Sequence, residues 1–351
     1  MLFTYPAKAI ENNWIHECIQ YALEKICDAL DKNQIVPGWP EIIPEANRGV
    51  LANRRTLPKL LDSFTNEAGK LSSADRAEFL EGFRQQNLIP GLLDGSVAIP
   101  VFNQNLQPLL GAAKAVCDEG FSLLSKLDVR GEHYQLIYAH LKSKTCPFCG
   151  MEPFDAPALA NEDEDHYLAR STYPLAAANF ANLAPMGGKC NQRYKGQVDI
   201  LHFNGGRRRA LNPYGNIAAD ISLINSTPLD GGFGMPSWEI DLMPDVEEVR
   251  TWESVFSIRR RLTESVLNPH FDSWISELPI WFSHAKIDVN VDNETLMSAL
   301  DDFVAYKTNY REQGAGFFKG KVFEFLAHHF RQGNEHVIAM IRSCLPKPVA
   351  A

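Results

Sequence analysis

The chain has 351 residues, of which 45% are hydrophobic and 22% charged, and its formal net charge is −9. This is the composition of an ordinary globular protein, long enough for two or three domains. Its acidity argues against a general nucleic-acid coat protein, and no apolar run approaches the roughly 20 residues of a membrane span. Seven cysteines, an odd number spread over a long chain, do not suggest a disulfide framework. The start, MLFTYPAKAIENNW, lacks the basic head and apolar centre of a secretory signal, so a cytoplasmic protein is expected.

Taken in chain order, the first ~130 residues read as mainly helical. Ile15, Cys18, Ile19, Ala22, Ile26 and Leu30 recur at helical spacing and predict a helix over roughly residues 10–31. Residues 37–49 are punctuated by Pro and Gly and read as loop. Helices are expected near 57–70 and, after a Ser72-Ser73 cap, near 73–87. Residues 95–103 suit a short strand or an extended linker, and 106–127 and 131–143 read as further helices. From Thr145 to about Gly215 the pattern changes to short Gly- and Pro-rich pieces, the mark of a small site-bearing module. Residues 218–226 and 237–244 alternate as strands do. Helices follow around 246–267, 271–282, 293–311, 317–332 and 334–343, and a frayed tail, PKPVAA, closes the chain. Cys18, Cys27, Cys117 and Cys344 fall in helical patterns and read as core.

The chemistry is concentrated in one stretch. Asp165 and His166 are adjacent, Asn182 and Asn191 follow, and a Cys146-Pro-Phe-Cys149 pair precedes them. Oxygen ligands suit Mg²⁺ or Mn²⁺, and a histidine suits the base that takes a proton from water. On an extended strand Asp165 and His166 point to opposite faces, and only a strand end or hairpin tip brings them to one site. A helix is expected over 190–195, with Asn191 at its start and Lys195 one turn on. Between Met186 and Arg209 there are six basic residues (Lys189, Arg193, Lys195, Arg207, Arg208, Arg209) against one acid, Asp199. A basic patch on an acidic body suits one focused phosphate contact. The acidic run that includes Asp163 and Glu164 reads as a solvated loop. Arg259, Arg260 and Arg261 read as a helix face with one buried arginine stem.

Cys146-x-x-Cys149, Asp165-His166, Asn182-Leu183-Ala184-Pro185 and Cys190-Asn191 occur in the order and spacing of the HNH endonucleases, which this part of the chain resembles. The resemblance covers residues 140–215 or so. It implies a ββα-metal module, a hairpin followed by a helix, and hence an α+β, mostly helical protein. The implied organisation is a helical region over 1–130, the nuclease module over 131–216 and a mainly helical region over 217–351. His166 matches the family's general base, Asp165 a ligand of the catalytic divalent ion, Asn191 the second ligand position, and Asn182 the residue that braces the loop and orients the histidine. Lys195 falls one residue later than the family's lysine. Arg170, Lys189 and Arg193 are further phosphate candidates, and Arg207, Arg208 and Arg209 are candidate nucleic-acid contacts.

The family's second zinc pair would begin at residue 187, which is glycine here, so only Cys146, Cys149 and Cys190 remain. His140 and His202 are possible replacements for the fourth ligand. A Cys₃His zinc site and a degenerate one stay equally open. Asn212-Pro213-Tyr214-Gly215 is expected to pack the module onto the C-terminal region. The resemblance implies Mg²⁺- or Mn²⁺-dependent hydrolysis of DNA. The layout is also similar to bacterial anti-phage effectors of the Septu and retron-associated type, which implies an ATPase partner. The alternatives are a catalytically silent nucleic-acid-binding or interaction protein that keeps the fold, and an RNA-cleaving nuclease.

Overall fold

A computed structural model describes residues 1–159, 164–228, 234–309 and 316–346. Asp163 and most of the predicted C-terminal tail lie outside them. Among the described residues the chain is mostly helical with three small antiparallel two-stranded sheets, an α+β composition. None of the described helices is long and apolar enough to cross a membrane. Two compact units are present, one of Thr4–Leu141 and Asp155–Ile217, the other of Met1–Phe3, Lys142–Phe154 and Ala218–Ala351.

Among its described residues the first unit carries seven α-helices: α1 (Trp14–Asp31), α2 (Glu45–Leu51), α3 (Thr56–Gly69), α4 (Ser73–Asn87), α5 (Ile89–Asp94), α6 (Gln107–Lys126) and α7 (Val129–His140). The apolar spacing read in the sequence is the stripe that packs. Ile15, Cys18, Ile19, Ala22 and Ile26 of α1 are buried with Leu57, Leu61 and Phe64 of α3 and Leu109, Ala113, Val116 and Cys117 of α6. Ser72 caps α4 through a reciprocal pair of bonds with Asp75. Gly120 sets how closely α6 meets α1, because a Cβ there would fall 2.1 Å from Ile19 Cδ1. One expectation is corrected in this unit: the predicted loop over 37–49 ends in α2, which Pro44 leads in. Of the two alternatives for residues 95–103, a strand and a linker, the linker is present.

Strands β1 (Glu164–His166) and β2 (Leu183–Pro185) form a hairpin in the register Glu164 to Pro185, Asp165 to Ala184 and His166 to Leu183. A π-helix, Lys189–Lys195, follows it. Its wider turn is closed by the Gly196 N–H donating to the Asn191 carbonyl at 2.7 Å. Gly196 ends the turn at φ +46° and ψ −126°, a conformation that side-chain-bearing residues avoid. A two-residue pair, β3 (His202–Phe203) and β4 (Gly206–Arg207), completes this unit.

The second unit holds the antiparallel pair β5 (Asp220–Ser222) and β6 (Asp241–Met243) within the two predicted strand segments. Its helices are α8 (Glu247–Phe256), α9 (Ile258–Leu262), α10 (Asn268–Ile275), α11 (Leu278–His284), α12 (Asn293–Asn309), α13 (Gly316–Arg331) and α14 (Glu335–Ser343), with a π turn at Thr263–Leu267. The predicted continuous helix over 246–267 is broken at Ser257, which is left-handed at φ +50°. Glu253 spans the break by accepting the Arg259 N–H at 3.1 Å. The predicted helix over 271–282 is likewise divided, with Pro279 in the first turn of α11, where its missing N–H does no harm. Arg261 is the buried arginine of its cluster, 6% exposed and 3.1 Å from Glu152.

Candidate functional site

Asp165 and His166 line one cavity of about 270 Å³ in the first unit. Lys195, Arg170, Lys114 and Asp118 line it with them, so three cations face two carboxylates and a histidine. Alternation along β1 turns Glu164 and His166 to one side and Asp165 to the other. His166 ends the strand, and that is how two adjacent residues reach one space.

The His166 Nε2–H donates to the Ala177 carbonyl at 2.9 Å. This bond places the neutral ring's proton on Nε2 and leaves Nδ1 as an acceptor. The Phe121 ring lies 4.4 Å away, centroid to centroid. The His166 pKa is lowered from 6.5 to about 4, chiefly by burial, with the Ala177 bond opposing the shift and the charges of Arg170, Lys195 and Arg130 adding to it. The ring is therefore neutral at neutral pH.

Asn182 is wholly buried and holds the loop that leads from β1 to Ala177. Its Oδ1 accepts the Leu168 N–H at 2.7 Å, and its Nδ2 donates to the Leu168 carbonyl at 3.1 Å. The N-terminal helices hold the far side of the same loop. Gln86 Oε1 accepts the Leu175 N–H at 2.7 Å, Asn87 Nδ2 donates to the Leu175 carbonyl, and Asn13 Oδ1 accepts the Phe180 N–H.

Lys195 is 1% exposed and its Nζ lies 2.7 Å from Asp165 Oδ2. The extra residue between Asn191 and Lys195 is taken up by the π-helix, which still brings the ammonium to the carboxylate. Lys195 thus stands as a cation on the acid expected to bind metal. Asn191 is half-buried, and neither it nor Lys189 or Arg193 is among the cavity's lining residues. Arg207 donates to the Leu92 and Val97 carbonyls, and Arg208 donates to the Ile200 carbonyl at 2.8 Å. Arg209 packs beside Gly95.

One expectation about the flank is corrected. Glu164 is not part of a solvated run. It is buried, with Oε1 2.5 Å from His133 Nδ1 and Oε2 3.0 Å from Arg130 Nε. The Tyr214 hydroxyl is buried between His133 Nε2, at 3.1 Å, and the Leu183 carbonyl. It ties β2 to α7 inside the first unit.

Cys146 and Cys149 form a tight turn. The Cys149 and Gly150 N–H groups donate to the Cys146 carbonyl at 3.2 and 2.7 Å, with Gly150 at φ +68°. The Met151 N–H points to the Cys149 sulfur at 3.4 Å. Cys146, Cys149 and Cys190 are buried and make a group that could hold a metal ion such as zinc. No histidine or carboxylate joins that group among the described residues. His140 Nδ1 bonds instead to the Leu136 carbonyl, and His202 Nδ1 to Asp199. Metal analysis of the purified protein is expected to give close to one zinc per chain, falling in Cys146→Ser. Less than about 0.2 zinc per chain in the wild type would rule against a structural site of ordinary affinity.

Compared with protein-family models, curated proteins and solved structures, the chain matches none of them.

Proposed function

We propose that this chain is a metal-dependent endonuclease of the HNH type that hydrolyses DNA phosphodiester bonds. One observation carries the reading: His166, fixed as the Nε2–H tautomer by Ala177, shares a cavity with Asp165 and three cations. A neutral imidazole with a free acceptor nitrogen suits removal of a proton from water, and the cations suit a phosphate. The negative charge of a bound phosphodiester raises the His166 pKa towards the range of an effective base.

The donor set fits a magnesium-like ion in part. Asp165 faces the cavity and already attracts a cation, Lys195. Such an ion often takes one or two carboxylates and fills its other positions with water and substrate phosphate, so the absence of Asn191 from the lining is compatible with it. When bound at Asp165, a divalent ion supplies Lewis-acid stabilisation of the charge that develops on the phosphate. Lys195 then turns from Asp165 to the phosphate, the role its place in the sequence implied. Asn182 keeps the loop and the imidazole in place throughout. The products are a 5′-phosphate and a 3′-hydroxyl. A single site makes a nick, so a double-strand break takes two copies or two successive events.

The basic residues away from the cavity, Lys189, Arg193 and Arg209, are proposed to follow the backbone of the nucleic acid. Arg207 and Arg208 already bond to main-chain carbonyls and carry less of that role. The Cys146, Cys149 and Cys190 group is proposed to hold a structural zinc, with the hairpin and π-helix carrying the chemistry. A place in bacterial anti-phage defence with an ATPase partner, and a cytoplasmic location, belong to the proposal on the strength of the sequence layout alone.

A second reading has its own observation. With Lys195 seated on Asp165, the chain also suits a silent nucleic-acid-binding protein that keeps the nuclease fold. Labelled DNA and RNA incubated side by side with Mg²⁺ or Mn²⁺, and with EDTA as control, separate the readings. Metal-dependent cleavage of DNA is expected. Cleavage of RNA alone would keep the enzyme and replace its substrate. Binding without cleavage of either, alone or with the native partner, would support the silent protein.

A further inference from the structure

Helix α6 belongs to the N-terminal helical region, yet one of its faces reaches the cavity. Lys114, Asp118 and Phe121 are spaced i, i+4 and i+7, which puts them on that face. Each does something different there. Phe121 packs on the His166 ring, and its own ring is approached by Arg130 at 5.0 Å and Arg170 at 5.7 Å. Asp118 lies 3.6 Å from Arg170 and so restrains one cation of the cavity. Lys114 lines the cavity, is exposed, and makes no ion pair among the described residues.

The three cations therefore differ. Lys195 is held by Asp165 at 2.7 Å, and Arg170 is drawn to Asp118. Lys114 alone has its charge uncommitted. An incoming phosphate gains the most from a cation that need not first give up a carboxylate. A lysine is also suited to the task, being a point charge on a flexible stem.

We propose that Lys114 is a ligand of the nucleic-acid backbone, contributed to the site by the helical region that precedes the module. It contacts a phosphate of the strand lying in the cavity, so α6 forms a wall of the substrate site. The proposal rests on the nuclease reading for its substrate, but it is tested by binding.

The test is binding of a fluorescent single-stranded DNA oligonucleotide to the full chain in EDTA, titrated over a range of salt. Lys114→Ala, Lys114→Arg and Lys59→Ala are compared with the wild type. Lys59 is an exposed lysine of α3 that does not line the cavity. Lys114→Ala is expected to weaken binding about tenfold at low salt. It should also lower the salt slope by about one ion released. Lys114→Arg should retain most of the affinity, and Lys59→Ala should match the wild type. Equal affinity and slope in Lys114→Ala and Lys59→Ala would overturn the proposal, and metal-dependent cleavage by the wild type would then leave the nuclease reading intact. Lys114-dependent binding by a protein that never cleaves would uphold the ligand and remove the enzyme. A wild type that binds no oligonucleotide would overturn the proposal as well.

Discussion

Replacing His166 by alanine is expected to slow metal-dependent cleavage by about 10²–10⁴-fold, the usual contribution of a positioned general base. The ring has one nitrogen committed to Ala177 and one left to accept a proton, and no other described side chain that lines the cavity is a neutral imidazole. The sign of its pH dependence follows from burial. The pKa in the free protein is lowered to about 4, so the base form is present above that value and is lost as the pH falls through it. The acid limb of kcat/KM should therefore lie well below pH 6.5. A limb near 6.5 would show a solvated ring and contradict the packing against Phe121. Folding is linked in the same direction. The stability this histidine gains by being neutral when buried is present above about pH 6.5 and declines as the pH falls towards about 4.

Asn182→Ala is expected to damage stability and activity together. The amide is wholly buried and serves both main-chain groups of Leu168. Its removal leaves a buried N–H and a buried carbonyl without those bonds, at about 1–3 kcal/mol for each group left unpaired. The loop that loses its brace carries the Ala177 carbonyl, so His166 loses its orientation as well. Asn182→Asp keeps an acceptor for the Leu168 N–H but no donor for its carbonyl, and should fall between. Urea unfolding beside cleavage rates gives both readouts. An alanine variant with wild-type stability and wild-type rate would show that the bonds of Asn182 hold nothing that matters.

The helices of the first 140 residues were largely legible because each buries a single apolar stripe, and the spacing of Ile15, Cys18, Ile19 and Ala22 records it directly. The hairpin and its loop were expected only through the family resemblance that Asp165-His166, Asn182 and Cys190-Asn191 carry. Much of what surrounds His166 was not. Phe121 and Lys114 are more than forty residues from it in the chain, and only folding puts them beside it. Gln86, Asn87 and Asn13 hold the loop from still farther away, and nothing local distinguishes them from surface amides. Glu164 was misread because an acidic run is normally solvated, whereas Arg130 and His133 come from α7 to meet it. Arg207 and Arg208 look like phosphate contacts in a run of three arginines, but their N–H groups are taken by carbonyls. The break at Ser257 escaped because the apolar pattern continues across it. The late position of Lys195 was visible in the sequence, and the π-helix that absorbs the extra residue was not.

The cavity lined by Asp165 and His166 is proposed to hydrolyse phosphodiester bonds with His166 as its base. Supercoiled plasmid incubated with the full chain in Mg²⁺ or Mn²⁺, alone and with its native partner, tests this directly against His166→Ala at equal concentration and equal folded fraction. Open-circular DNA bearing 5′-phosphate ends is expected with the wild type, none in EDTA, and a rate at least about a hundredfold lower with the variant. Equal nicking by the two proteins, or none by the wild type under any of these conditions, would contradict it.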